Sequence, residues 1–150
     1  MRGLVSILAA ATLVCAGCGG EPVPKDLCGS IGKADFPWPG EPTAKHEEDS
    51  CSWSAAGYSV AVKRMPDIPL EALRKSWNLK EPAKSLGGRE VFVRKSGYDL
   101  RSADERAIEC RAAMKDGSGV VTLQVRNDDT ADLCADVTRL AEKVARHVPG

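Results

Sequence analysis

Six cysteines punctuate the 150-residue chain, and their placement constrains what it can fold into more than any other feature. Cys15 and Cys18 close an N-terminal stretch built like a secretory leader. Arg2 supplies one positive charge, Leu4 to Val14 is apolar apart from Ser6 and Thr12, and small residues follow. This layout predicts export with residues 1–17 removed. Cys28, Cys51, Cys110 and Cys134 then remain for the folded part, an even number in an exported chain, which reads as two disulfides. Four cysteines allow three pairings; Cys28–Cys51 with Cys110–Cys134 is favoured because each bridge closes a short local loop. Zinc is the rival use of four cysteines, but no pair among them has ligand spacing of two to four residues, so no metal site is expected.

Cys15-Ala16-Gly17-Cys18 resembles the lipobox of bacterial lipoproteins, with small residues at Ala16 and Gly17 and with Cys15 where that family usually carries Leu. The resemblance implies that residues 1–17 are a lipoprotein signal peptide, that cleavage falls before Cys18, and that the Cys18 thiol carries a diacylglycerol. Each buried methylene then contributes about 0.8 kcal/mol, and stable anchoring takes about two acyl chains, which one diacylglycerol provides. The apolar run from Gly3 to Gly17 is shorter than the ~20 residues a membrane-spanning helix needs. The expected address is the extracytoplasmic face of the cell membrane, with lipid rather than a protein surface as the anchor.

Residues 18–25 include Gly-Gly-Glu-Pro-Val-Pro-Lys after the cysteine, a tether too rich in Gly and Pro to pack. Residues 26–150 are expected to form a single α+β domain. Without the leader the chain has 133 residues, 20 basic and 21 acidic, so nothing suggests the basic stripe that nucleic acid requires. Aromatic residues make up only 5%, which leaves the core to Val, Leu, Ile and Ala.

Along the domain, Asp26 is placed to cap a short helix over Leu27 to Ile31, and the proline-rich stretch from Ala34 to Lys45 reads as an irregular loop. His46-Glu47-Glu48-Asp49 reads as a solvated charge run, since consecutive side chains rarely converge on a metal. Ser50 to Trp53 and Tyr58 to Val62 form a predicted hairpin around Ala55-Ala56-Gly57, with Cys51 and Trp53 on one face. Pro69 opens a helix carrying Leu70, Leu73 and Trp77, stopped at Asn78. Lys80 to Ser85 reads as loop, Gly87-Gly88 as the turn leading into a strand over Arg89 to Arg94, and Ser96 to Asp104 as exposed and polar. A second hairpin joins Ala107–Met114 to Val120–Val125 through an Asp116-Gly117 turn. Asn127 to Thr130 is expected to supply the cap of a final amphipathic helix over Ala131 to Val148, striped by Leu133, Val137, Leu140, Val144 and Val148. The resulting expectation is an antiparallel sheet of about four to six strands with the C-terminal helix packed on one face and two disulfides.

In order, the lipobox, Cys28, Cys51-Ser52-Trp53, Leu86-Gly87-Gly88, Cys110 in a strand and Cys134 in a helix resemble the actinobacterial cell-envelope lipoproteins known as domain of unknown function 3558. The chain departs from that pattern with Gly29-Ser30 where an apolar pair is usual. The resemblance implies an α+β domain with an antiparallel sheet and brings no catalytic residues. Read from its residues, the chain offers an enzyme little: two histidines, His46 and His147, and no Gly-x-Ser-x-Gly elbow. No catalytic residue and no cofactor are expected. The function expected is a membrane-anchored, non-enzymatic binding or interaction module. Phe92 points opposite to Val91 and Val93 in its strand and, with Trp38 and Tyr98, lies outside the expected core. The partner would be a small apolar ligand, if these three converge on a pocket, or an envelope protein. A structural envelope lipoprotein without a pocket is the alternative, and an envelope hydrolase stands behind both.

Overall fold

The computed structural model describes residues 26–96, 109–128 and 132–148. The fold is α+β: one seven-stranded antiparallel sheet with a C-terminal helix on one face. The strands are β1 (Thr43–Glu47), β2 (Ser50–Ala55), β3 (Tyr58–Met65), β4 (Lys84–Leu86), β5 (Arg89–Lys95), β6 (Glu109–Asp116) and β7 (Gly119–Asn127), ordered β1-β2-β3-β7-β6-β5-β4. Helix α1 (Leu70–Ser76) follows β3, and α2 (Leu133–Ala145) ends the fold.

Buried side chains on one face of the five inner strands build the core. Cys51, Val62, Leu123, Ala112 and Val93 lie in one row across five strands and are all buried. Helix α2 closes this face across β5, β6 and β7, burying Leu133, Val137, Leu140, Ala141 and Val144, with Val148 buried just beyond its end. That is the apolar stripe expected of it. Its end is fixed from the sheet. The Arg89 guanidinium donates to Ala145 O at 2.9 Å and to Val148 O, placing a cation at the negative end of the helix. Gly87 takes φ +56° in the β4–β5 turn, and a Cβ there would meet Glu142 O at 2.9 Å, so the helix backbone lies directly on this turn.

The strand count exceeds the expected four to six because both edge strands were hidden. β1 is exposed at all five positions, so its sequence has no apolar alternation and reads as part of a proline-rich loop. β4 is only three residues, Lys-Ser-Leu, too short to show a period. Three other expectations shift. The strand β7 runs on to Asn127, and the N-cap of α2 is Asp132, whose side chain accepts from Ala135 N at 3.1 Å. The first helix is a single 3-10 turn, Cys28–Ser30, held by Gly29 N donating to Asp26 Oδ1 at 3.0 Å. Phe92, placed outside the core from its alternation, is buried on the opposite face under Arg74, whose guanidinium carbon lies 4.6 Å from the ring centroid.

On that opposite face α1 covers only one end of the sheet, where Leu73 packs with Ala113 and Val120 and half-buried Trp77 lies alongside. Pro69 and Asn78 bound α1 as expected, Asn78 at φ +50°.

Candidate functional site

The two disulfides join the four cysteines as favoured from loop length. Cys28–Cys51 and Cys110–Cys134 have Cα separations of 5.5 and 5.3 Å. The first ties the N-terminal segment to β2, and the second ties α2 to β6. Cys18, proposed to carry lipid, lies outside the described residues, as do residues 18–25, Tyr98 and most of the polar stretch between β5 and β6.

Trp38 and Phe92 do not converge. Trp38 stacks on Tyr58 at 4.8 Å in a cluster with Phe36 and Trp53 on the α2 side, while Phe92 faces α1. Trp38 Nε1 and Tyr58 Oη are buried without hydrogen-bond partners among the described residues, and burial pushes the Tyr58 hydroxyl above its ordinary value against the opposing pull of Lys33. The histidines are apart as well. His46 is on β1 with its ring edge-on to Trp53, and His147 follows α2 with Nδ1 2.9 Å from Lys143 O. The charge run around His46 is solvated, and among the described residues no three His, Cys, Asp or Glu side chains cluster as metal ligands would.

On the α1 face Glu109 accepts from Ser96 Oγ, Arg111 Nε and Gln124 Nε2, each at 2.6 Å. Both its oxygens are occupied, so it links the end of β5 to β6 and β7 rather than offering a base. On the other face, Asp35 joins the N-terminal segment to α2: Lys143 donates to its carboxylate, Gly32 N donates at 2.8 Å, and Arg139 donates to its carbonyl at 3.1 Å. Burial works to raise the Asp35 carboxyl, but the bonds from Lys143 and Gly32 and the nearby Arg139 charge outweigh it and hold it below the usual value.

Among the described residues, a cleft of about 450 Å³ at the β5 edge falls within the range of ligand pockets. Val93, Arg94 and Lys95 form one wall, residues 78–81 after α1 and Lys84 the other, and Cys134 closes it. The cleft exists because β4 stops short: it pairs with β5 only from Leu86 to Lys84, opposite Arg89 to Val91, and leaves the rest of β5 uncovered. Its charged lining is Lys80, Lys84, Arg94 and Lys95 against Glu81 alone. Arg94 donates to Trp77 O, whereas the three lysines have no ion-pair partner among the described residues. Such a lining attracts anions and contains no adjacent acid and base pair for proton transfer. Sequence reading missed it, because Lys80, Lys84 and Lys95 are separated by a strand and a turn and look like scattered surface charge.

No protein-family model, no curated protein and no solved structure matches the chain.

Proposed function

We propose that the chain is an extracytoplasmic lipoprotein, held at the cell membrane by a diacylglycerol on Cys18, whose folded domain is a non-enzymatic binding module. The observation that carries this reading is the use of the cysteines: all four beyond the leader are paired, as suits a small domain in an oxidising compartment. The leader and its lipobox-like end supply the address, and the resemblance to the domain of unknown function 3558 lipoproteins supports the same placement. Among the described residues no helix is long and apolar enough to cross a membrane.

The geometry suits a tethered binder. Residue 26 begins the described chain beside the Cys28–Cys51 bridge on β2, while the cationic cleft flanks β5. Four strand spacings of ~4.8 Å separate β2 from β5, about 19 Å across the sheet. A domain hung from its β2 side keeps the β5 edge clear of the tether. The presence of this cleft favours binding over the alternative of a structural lipoprotein without a pocket.

Cell fractionation tests the reading. Cys18→Ala should move the protein from the membrane fraction to the soluble extracytoplasmic fraction, with both disulfides intact. Membrane association undiminished by the substitution would overturn it.

A further inference from the structure

Ladder geometry decides which backbone groups of β5 are free. Ser96 N donates to Glu109 O at 2.9 Å, and in an antiparallel pair such bonded positions recur every second residue. Phe92 and Arg94 therefore turn their N–H and C=O groups toward β6, and Val91, Val93 and Lys95 turn theirs the other way. Val91 meets Lys84, the first residue of β4. Val93 and Lys95 meet no strand, so their N–H and C=O groups open onto the cleft without ladder partners among the described residues. Unpaired edge groups of this kind are the template for strand addition by an extended peptide.

Charge narrows the peptide. The cations of Lys80, Lys84, Arg94 and Lys95 surround this stretch with only Glu81 to offset them. Edge lysines deter indiscriminate pairing of neutral or basic strands. The same field favours a strand bearing carboxylates. Register narrows it further. Val93 lies on the face of Ala112 and the Cys110–Cys134 bridge, whereas Arg94 lies beside Arg111 on the other face. Lys84, paired with Val91, and Lys95 share the face of Val93. An added strand would thus set an apolar side chain against Val93, carboxylates flanking it toward Lys84 and Lys95, and further carboxylates beside Arg94 on the other face.

We infer that the free edge of β5 at Val93–Lys95 receives, as an added strand, an extended acidic segment of an envelope protein, its carboxylates met by Lys80, Lys84, Arg94 and Lys95. This inference rests on the binding-module reading and names the partner class for its cleft.

Fluorescence anisotropy of a labelled Glu-Glu-Val-Glu-Glu peptide, which carries carboxylates on both faces around one apolar residue, with the full chain in detergent tests it. Binding is expected at low salt and should fall as salt rises, and a Lys-Lys-Val-Lys-Lys peptide should not bind. N-methylation of alternate peptide amides should weaken binding about ten-fold in one of the two registers. Lys84→Glu with Lys95→Glu should weaken it by about as much. Lys95→Pro should weaken it more than Lys95→Ala, because it deletes an outward N–H that β6 does not use. Circular dichroism melts establish that the variants are folded. Absence of acidic-peptide binding at low salt overturns the inference. Binding indifferent to N-methylation overturns it in favour of a charge-only site for a small anion or an anionic lipid surface, and binding indifferent to the lysine reversals places the contact elsewhere. Any of these results, obtained while Cys18→Ala still releases the protein, removes the partner class and leaves the lipoprotein reading standing.

Discussion

The two halves of the sheet are stapled alike and finished differently. Cys28–Cys51 closes a separation of 23 residues on the β1–β3 side, and Cys110–Cys134 closes 24 on the β4–β6 side. Loop closure makes each worth about 3 kcal/mol, so entropy does not distinguish them. The edges do. β1 covers β2 along five residues, and its neighbourhood neutralises its own cations, with Lys33–Glu41 at 2.7 Å and Lys45–Glu47 at 2.6 Å. Hydrogen bonds from these lysines hold Glu41 and Glu47 below the ordinary carboxylate value, and the bond to Glu47 raises Lys45. β4 covers β5 along three residues, and Lys80, Lys84 and Lys95 have no ion-pair partner among the described residues, with Glu81 as the one carboxylate lining the cleft. The β1 edge carries paired charges, whereas the stretch of β5 beyond β4 is flanked by these unpaired lysines. This contrast in charge pairing is the ground on which the β5 edge is proposed as the binding edge.

The strongest way to break the contrast is to remove the roof of the β4–β6 half. Leu140→Ala deletes a fully buried side chain of α2, and urea unfolding should show a loss of about 2–5 kcal/mol. A loss near zero would mean that α2 does not carry that half.

Removing the bridges one at a time sharpens the comparison. Cys28→Ala with Cys51→Ala, and Cys110→Ala with Cys134→Ala, should each cost about 3 kcal/mol in urea melts, because the loops are nearly equal. Hydrogen exchange should then separate them, rising in residues 27–36 for the first pair and in the first turns of α2 for the second. Exchange rising in the same residues for both would mean that the halves open as one unit.

The smallest effect probes the junction between the N-terminal segment and α2. The folded Asp35 carboxyl lies below its ordinary value of 3.8, so the ionised form stabilises the fold above that value. The contribution is lost as pH falls through the lower, folded value. Asp35→Asn should therefore cost about 1 kcal/mol at neutral pH, modest because Lys143 is half exposed, and the difference from the parent should shrink in acid. A difference independent of pH would sink the ionic account of this contact.

Much of this architecture is legible in the residues. Tyr58, Val60 and Val62 alternate, Val121, Leu123 and Val125 alternate, and the α2 stripe repeats at helical spacing, because each faces a core on one side and water on the other. Phe92 was misread because its strand is covered on both faces, by α2 on one side and by α1 with Arg74 on the other, and alternation cannot show that. β1 was missed because it is covered on neither. The Gly87-Gly88 pair was legible as a turn but not as the place where α2 comes down on the sheet.

The cysteine set, the central hairpins and the amphipathic final helix could be read along the chain, because each is a local pattern over a few residues. Only the tertiary structure decided the length of β4, and with it the uncovered groups of Val93 and Lys95 and the gathering of Lys80, Lys84, Arg94 and Lys95 around them. Those residues belong to different elements, and their proximity depends on where one strand stops beside another, which no period along the chain records.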